Sequence, residues 1–268
     1  MTREQRVIFL FIYSEIQSTL FKHTNMHTSN YWIGHFKANA TKNRIYWAGG
    51  PEISAAEINT ILPSLQAWQL GETSEGAHLI AAATKYAIKI NDPAYVDAIR
   101  LFIKEEQKHG NNLGRYLDVI GQPRVKQNWG DTLFRRIRYF NTSMEIWTLA
   151  VIVVESTAQV FYQALKDATQ CDLLKQICTD ILIDEACHIT FQTERLAMIY
   201  YNKPAFSKAW RKLAYKYFFY ATSTLVWFAH RRLFKAGGNT YSLYKKKMHF
   251  KYLKTINAIT CEAALQLT

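Results

Sequence analysis

The sequence predicts an all-α protein, a helical bundle with additional helices at its N- and C-terminal ends. Two observations point there. Glycine and proline number only 11 and 5 in 268 residues, too few for a turn-rich β protein. Apolar residues also recur at three- and four-residue spacing over long segments, and period-two alternation persists nowhere.

The pattern places a first helix over residues 2–22. The polar stretch that follows, HTNMHTSNYWIGHFKANATKNRIYWAGG, reads as loop with short ordered pieces. Ser54 caps a helix beginning AAEINTIL, in which Pro63 marks a kink or a restart. From there to residue 89, Leu65, Trp68, Glu72, Glu75, Leu79, Ala82 and Tyr86 fall on one helical face. Asp92-Pro93 is a good start for the next helix, with Ile99, Phe102, Glu106, His109, Leu113 and Leu117 inward and Gly121-Gln122-Pro123 as its stop. A basic, aromatic connection, RVKQNWGDTLFRRIRYF, leads to helices over 142–168 and 172–201, the second ended by Asn202-Lys203-Pro204. Two more, over 205–235 and 241–265, flank Gly237-Gly238. No composition break precedes Pro204, so 1–268 reads as one domain. The bundle occupies about 54–202 and basic, aromatic helices about 203–268.

Of the formal charge of +12, the surplus is regional: thirteen Lys or Arg and no Asp or Glu lie between Lys203 and Cys261. An anionic partner or a solvated basic face would each account for it. Cys171, Cys178, Cys187 and Cys261 form no CxxC pair and no disulfide framework, which suggests a reducing cytoplasm. No run of 18 uncharged apolar residues predicts a membrane span, and the first residues lack a small-residue cleavage site.

Glu106 with His109, and Glu185 with His188, are each three apart, so each pair offers an oxygen and a nitrogen to one ion from one side of a helix. Glu75 precedes Glu106 by 31 residues and Glu155 precedes Glu185 by 30, enough for half a helix, a turn and half a helix back. Glu155 interrupts MEIWTLAVIVVESTAQVFYQAL, where a lone buried carboxylate costs several kcal/mol unless paired or metal-bound. Four carboxylates and two histidines facing into a four-helix bundle are the ligand set of ferritin-like di-iron or di-manganese proteins. Glu72, close by Glu75, is an alternative to it. Glu105 and Asp184 stand next to the ligand glutamates, where each would hold the histidine of the opposite helix. His78 reads as a surface or supporting histidine and Cys187 as packing.

EEQKHGNNLGRYLDVIG (105–121) and QICTDILIDEACH (176–188) resemble the soluble acyl-carrier-protein desaturases and related di-iron oxygenases of the ferritin-like superfamily, with their E-E-x-R-H and D-E-x-R-H motifs. The resemblance covers about 72–197. It implies Glu75, Glu106, His109, Glu155, Glu185 and His188 as ligands to two iron ions, or iron with manganese, and O2 as co-substrate with an external electron donor. Lys108 and Cys187 replace the family's arginines, and Ala158 replaces a threonine associated with oxygen activation, Thr157 being one position off.

The expected activity is an O2-activating oxidoreductase: a desaturase, hydroxylase or N-oxygenase acting on a hydrophobic acyl or amine substrate, free or on an acidic carrier protein. A ferroxidase or iron-binding protein without organic substrate is the alternative. The tail FSKAWRKLAYKYFFYATSTLVWFAHRRLF reads as a packed helix with solvated lysines or as an interfacial helix in peripheral membrane contact. Nucleic acid is disfavoured, and a homodimer is compatible.

Overall fold

Eight α-helices and one 3-10 turn make up the residues that the computed structural model describes, 26–130, 132, 143–201 and 203–260. They are α1 (Ser29–Ala40), the 3-10 turn (Trp47–Gly49), α2 (Ala55–Glu72), α3 (Ala77–Ile90), α4 (Ala94–Val119), α5 (Met144–Ala168), α6 (Asp172–Tyr201), α7 (Ala205–Ala236) and α8 (Tyr241–Thr260). The helix expected over 2–22 and Cys261 lie outside the described residues.

Helices α2, α4, α5 and α6 form a four-helix bundle in which α2 packs on α4, α4 on α6, α6 on α5 and α5 on α2. Only Thr169, Gln170 and Cys171 separate α5 from α6, which makes them antiparallel neighbours. Ser54 accepts from the Glu57 N–H to cap α2, and the helix runs on through the exposed Pro63. α1 covers α4, α3 packs on α4 and α5, and α7 and α8 close the other side over α2, α5 and α6. By length and composition α5 could span a bilayer, but 72% of its most apolar window is buried in the bundle.

Two expectations change. The polar stretch after residue 22 contains α1, capped by Thr28. Its buried face is Ser29, Trp32, Phe36 and Asn39, correctly spaced but half polar, so apolar periodicity could not report it. Glu194 on α6 anchors it by accepting from Trp32 Nε1 at 2.9 Å and bonding His27 Nδ1 at 2.8 Å.

The helix expected to run unbroken to residue 89 stops at Glu72, and α3 begins at Ala77. Thr73 folds its N–H and hydroxyl back onto the Leu70 carbonyl. Gly76 then turns the chain at φ +66°, and a Cβ there would lie 2.5 Å from Ile103 Cδ1 on α4. Gly76→Ala should therefore destabilise the protein by about 1–2 kcal/mol. Gly34→Ala, on the open face of α1 with nothing within 4 Å, should instead stabilise it by up to about 1 kcal/mol. Urea midpoints of the two variants test this, and an unchanged midpoint for Gly76→Ala would refute the packing account.

Candidate metal centre

Helices α4 and α6 are apolar above and below one polar layer. On α4, Ile99 and Phe102 belong to one apolar cluster and Leu113 and Leu117 to the other, with Glu106 and His109 between. On α6, Ile177 and Ile181 face Phe191 across Glu185 and His188. α5 adds Glu155 and α2 adds its last residue, Glu72.

Ligand atoms of Glu106, Glu155, Glu185 and His188 all lie within 4.8 Å of one another, as do those of Glu72, Glu106 and His109. Glu106 belongs to both groups. Glu185 also reaches both, with Oε2 3.4 Å from His188 Nδ1 and Oε1 3.7 Å from His109 Nδ1. The two groups are adjacent halves of one site.

Glu75 is not part of it: it is exposed in the link between α2 and α3. The break after Glu72 takes the next turn out of the bundle, so Glu72 is the acid brought to Glu106 and His109. Gly110 permits the approach, since a Cβ there would stand 3.1 Å from the Glu72 backbone carbon. His78 is exposed on α3, and Cys187 is partly buried against an apolar cluster. The Thr157 hydroxyl donates to the Val154 carbonyl at 2.8 Å.

Both imidazoles are held from behind. His188 Nε2 is 2.8 Å from Glu105 and His109 Nε2 is 3.0 Å from Asp184, each acid coming from the opposite helix. Asn39 of α1 donates to both acids, at 2.8 Å to Asp184. Arg44 and Lys108 donate to Asp184 at 2.9 and 2.7 Å, and both also pair with Asp180. Burial opposes the charge of Asp184, yet the bonds from His109 and Lys108 hold its carboxyl well below the usual range. Lys108, where the resembled motifs carry arginine, thus pairs with the acids of the opposite helix. Asn39, Arg44 and Asp180 carried no sequence signal, because their partners lie up to 145 residues away. Tyr162, two turns past Glu155, donates to Glu72 Oε1 at 2.7 Å.

With Nε2–H donated outward, the neutral form of each ring presents its Nδ1 lone pair inward. Six buried atoms then face one space without a hydrogen-bond partner: Glu106 Oε1, Glu155 Oε2, both Glu185 oxygens, and Nδ1 of His109 and of His188. His188 Nδ1 is only 2.8 Å from Glu106 Oε1, a contact that repels unless a proton or a cation sits there. Among the described residues no Lys or Arg pairs with Glu72, Glu106, Glu155 or Glu185. Burial pushes the Glu72 and Glu155 carboxyls well above the usual range, and Glu106 and Glu185 push them further. Glu106 goes the other way: burial opposes it, but His188 and His109 bring it down to about 2. His188 is raised far above the ordinary imidazole, its burial outweighed by Glu106 and Glu105. These are the properties of a site that takes protons when it has no cation. Its oxygen and imidazole donors suit iron or manganese.

A cavity of about 280 Å³ adjoins the cluster. Glu72, Glu106 and Glu155 border it, and its walls include Trp68, Phe102, Trp147 and Val154 from the bundle and Leu225 and Val226 from α7.

No family model and no curated protein matches the chain. Solved structures do. An R2-like ligand-binding oxidase with an aerobically reconstituted Mn/Fe cofactor superposes with a TM-score of 0.56 at 15% identity, covering 88% of this chain and 94% of that one. A variant of an R2-like ligand-binding oxidase with an anaerobically reconstituted Mn/Fe cofactor gives 0.59 at 15% identity, over 87% and 94%. A third, aerobically reconstituted, gives 0.57 at 14%, over 87% and 93%. The chain therefore has the ferritin-like helical fold of these proteins.

Proposed function

We propose that the chain holds two transition-metal ions, iron or iron with manganese, and acts as an O2-dependent oxidoreductase on an apolar small molecule. The observation that carries this is the set of six unpartnered, buried ligand atoms around one space, with both histidines held from behind. Four carboxylates facing two divalent cations would be neutral in sum. Glu72, Glu106, His109, Glu155, Glu185 and His188 would hold the pair. When bound, such a pair supplies the electrons and Lewis acidity for reaction with O2, an external donor restoring the electrons.

The protein's own part is orientation and an apolar place for the substrate. Glu105 and Asp184 fix the imidazole tautomers with Nδ1 inward, and Tyr162 fixes the Glu72 carboxyl. The apolar walls would hold a hydrophobic substrate against Glu72, Glu106 and Glu155. Solved proteins of this fold are named ligand-binding oxidases with Mn/Fe cofactors, which supports extending both properties to this chain. The cavity favours an organic substrate over iron oxidation alone.

Metal analysis after growth with iron and manganese should find two ions per chain in the wild type and in Glu75→Ala, and fewer in Glu72→Ala. Two retained ions in Glu72→Ala would overturn the ligand set. Asp184→Asn should weaken metal binding about 10–100-fold in chelator competition. Metal uptake should release protons and tighten as pH rises from about 6 to 8, because the raised Glu72, Glu155 and His188 must each lose a proton to become ligands. Calorimetry in buffers of different ionisation enthalpy measures this. Val154→Phe, which fills the cavity, should keep the metals and O2 uptake but lose the response of uptake to added apolar acyl or amine compounds. If the wild type shows no such response, the ferroxidase reading stands instead.

A further inference from the structure

Helix α7 has two apolar faces, and the bundle uses only one. Tyr215, Phe219, Trp227, Leu233 and Phe234 are buried. Phe206, Trp210, Leu213, Tyr217, Leu225 and Phe228 are exposed, Phe206 by 86%, Trp210 by 66% and Tyr217 by 70%. The first four follow spacings of four, three and four, so they form one stripe about 17 Å long, and Phe228 returns to the same face three turns later, beyond Ala221 and Thr224. That face ends at a kink, where His230 leaves helical geometry (φ −119°, ψ 17°). Exposed Arg231, Arg232 and Lys235 follow at once. Lys212 and Lys216 flank the stripe, and no Asp or Glu occurs from Lys203 to Cys261.

We propose that this face of α7 docks on an anionic lipid bilayer. Aromatic and aliphatic side chains along the centre line, with Lys and Arg at the border and beyond the end, are what an interfacial helix requires: the rings enter the acyl boundary while the cations meet the headgroups. A second copy docked on the same face would bring basic flank against basic flank. A nucleic acid would need the cations along the centre, where this helix is apolar.

The same helix walls the cavity. Leu225 is both exposed and a cavity residue, and Thr222, Val226, Ala229 and His230 line the space beside it. Docking α7 therefore sets the cavity next to the lipid, from which an apolar substrate would enter without crossing water.

The test is flotation of the full chain with phosphatidylcholine vesicles, with and without phosphatidylglycerol. The expected result is binding only to the anionic vesicles, with a blue shift of tryptophan fluorescence and a several-fold loss at high salt. The triple variant Phe206→Glu, Trp210→Glu, Tyr217→Glu should keep its helical circular dichroism and lose vesicle affinity on the order of tenfold or more. Lys212→Glu with Lys216→Glu should weaken binding several-fold without altering the fold. The proposal is overturned if the wild type ignores anionic vesicles, as it would if another part of the chain covers the stripe, or if the triple variant binds as well as the wild type. It is equally overturned if the stripe proves to mediate a dimer or to bind duplex DNA or an acidic protein in place of vesicles. Flotation does not depend on metal loading, so its failure would leave the metal reading untouched.

Discussion

Four carboxylates held within a few ångströms in an apolar interior are the constraint to which the rest of the bundle answers. Two unit charges 4 Å apart repel by about 4 kcal/mol even at an effective dielectric of 20, comparable to the stability of a whole domain. Without compensation the layer of Glu72, Glu106, Glu155 and Glu185 would force the helices apart. Protons relieve part of it, as the raised Glu72 and Glu155 indicate. Cations would relieve all of it, and the inward Nδ1 atoms of His109 and His188 add the neutral donors that complete such a site.

A second polar layer keeps the first in order. The histidines do not choose their orientation: Glu105 and Asp184 choose it from across the bundle, and Asn39 ties those two acids together. Arg44 and Lys108 then bring positive charge to the outside of the layer. Helix α1 is therefore more than a lid. Through Asn39 and the turn that carries Arg44 it joins the network that positions both imidazoles, and Glu194 secures it through Trp32 and His27.

Helix α7 couples the interior to the surface. Its inner side chains complete the core and the cavity wall, while its outer stripe leaves large aromatics in water among basic residues. Isolated exposed apolar residues are ordinary, but four large ones in a row at helical spacing are not. One element thus shapes the space beside the carboxylates and presents a face with the composition of a lipid-binding surface.

The sequence by itself determined the helices with strong apolar periodicity. The expected limits of the helix over 172–201 coincide with those of α6, because the start at Asp172 and the stop at Asn202-Lys203-Pro204 are local signals. It also brought out Glu106, His109, Glu155, Glu185 and His188, since i, i+3 spacing within one helix, or a lone acid in an apolar one, survives any packing of the bundle. Only the tertiary structure decided what depends on contacts between helices. Glu72 takes the place expected for Glu75 because Thr73 and Gly76 end α2 against Ile103 of α4, and periodicity cannot see a break made by a neighbouring helix. α1 stayed hidden because two of its four buried residues are polar and are buried only by partners far along the chain. A local pattern records which side of a helix is apolar; which polar groups the fold can afford to bury depends on what lies opposite them, and that is known only when the helices meet.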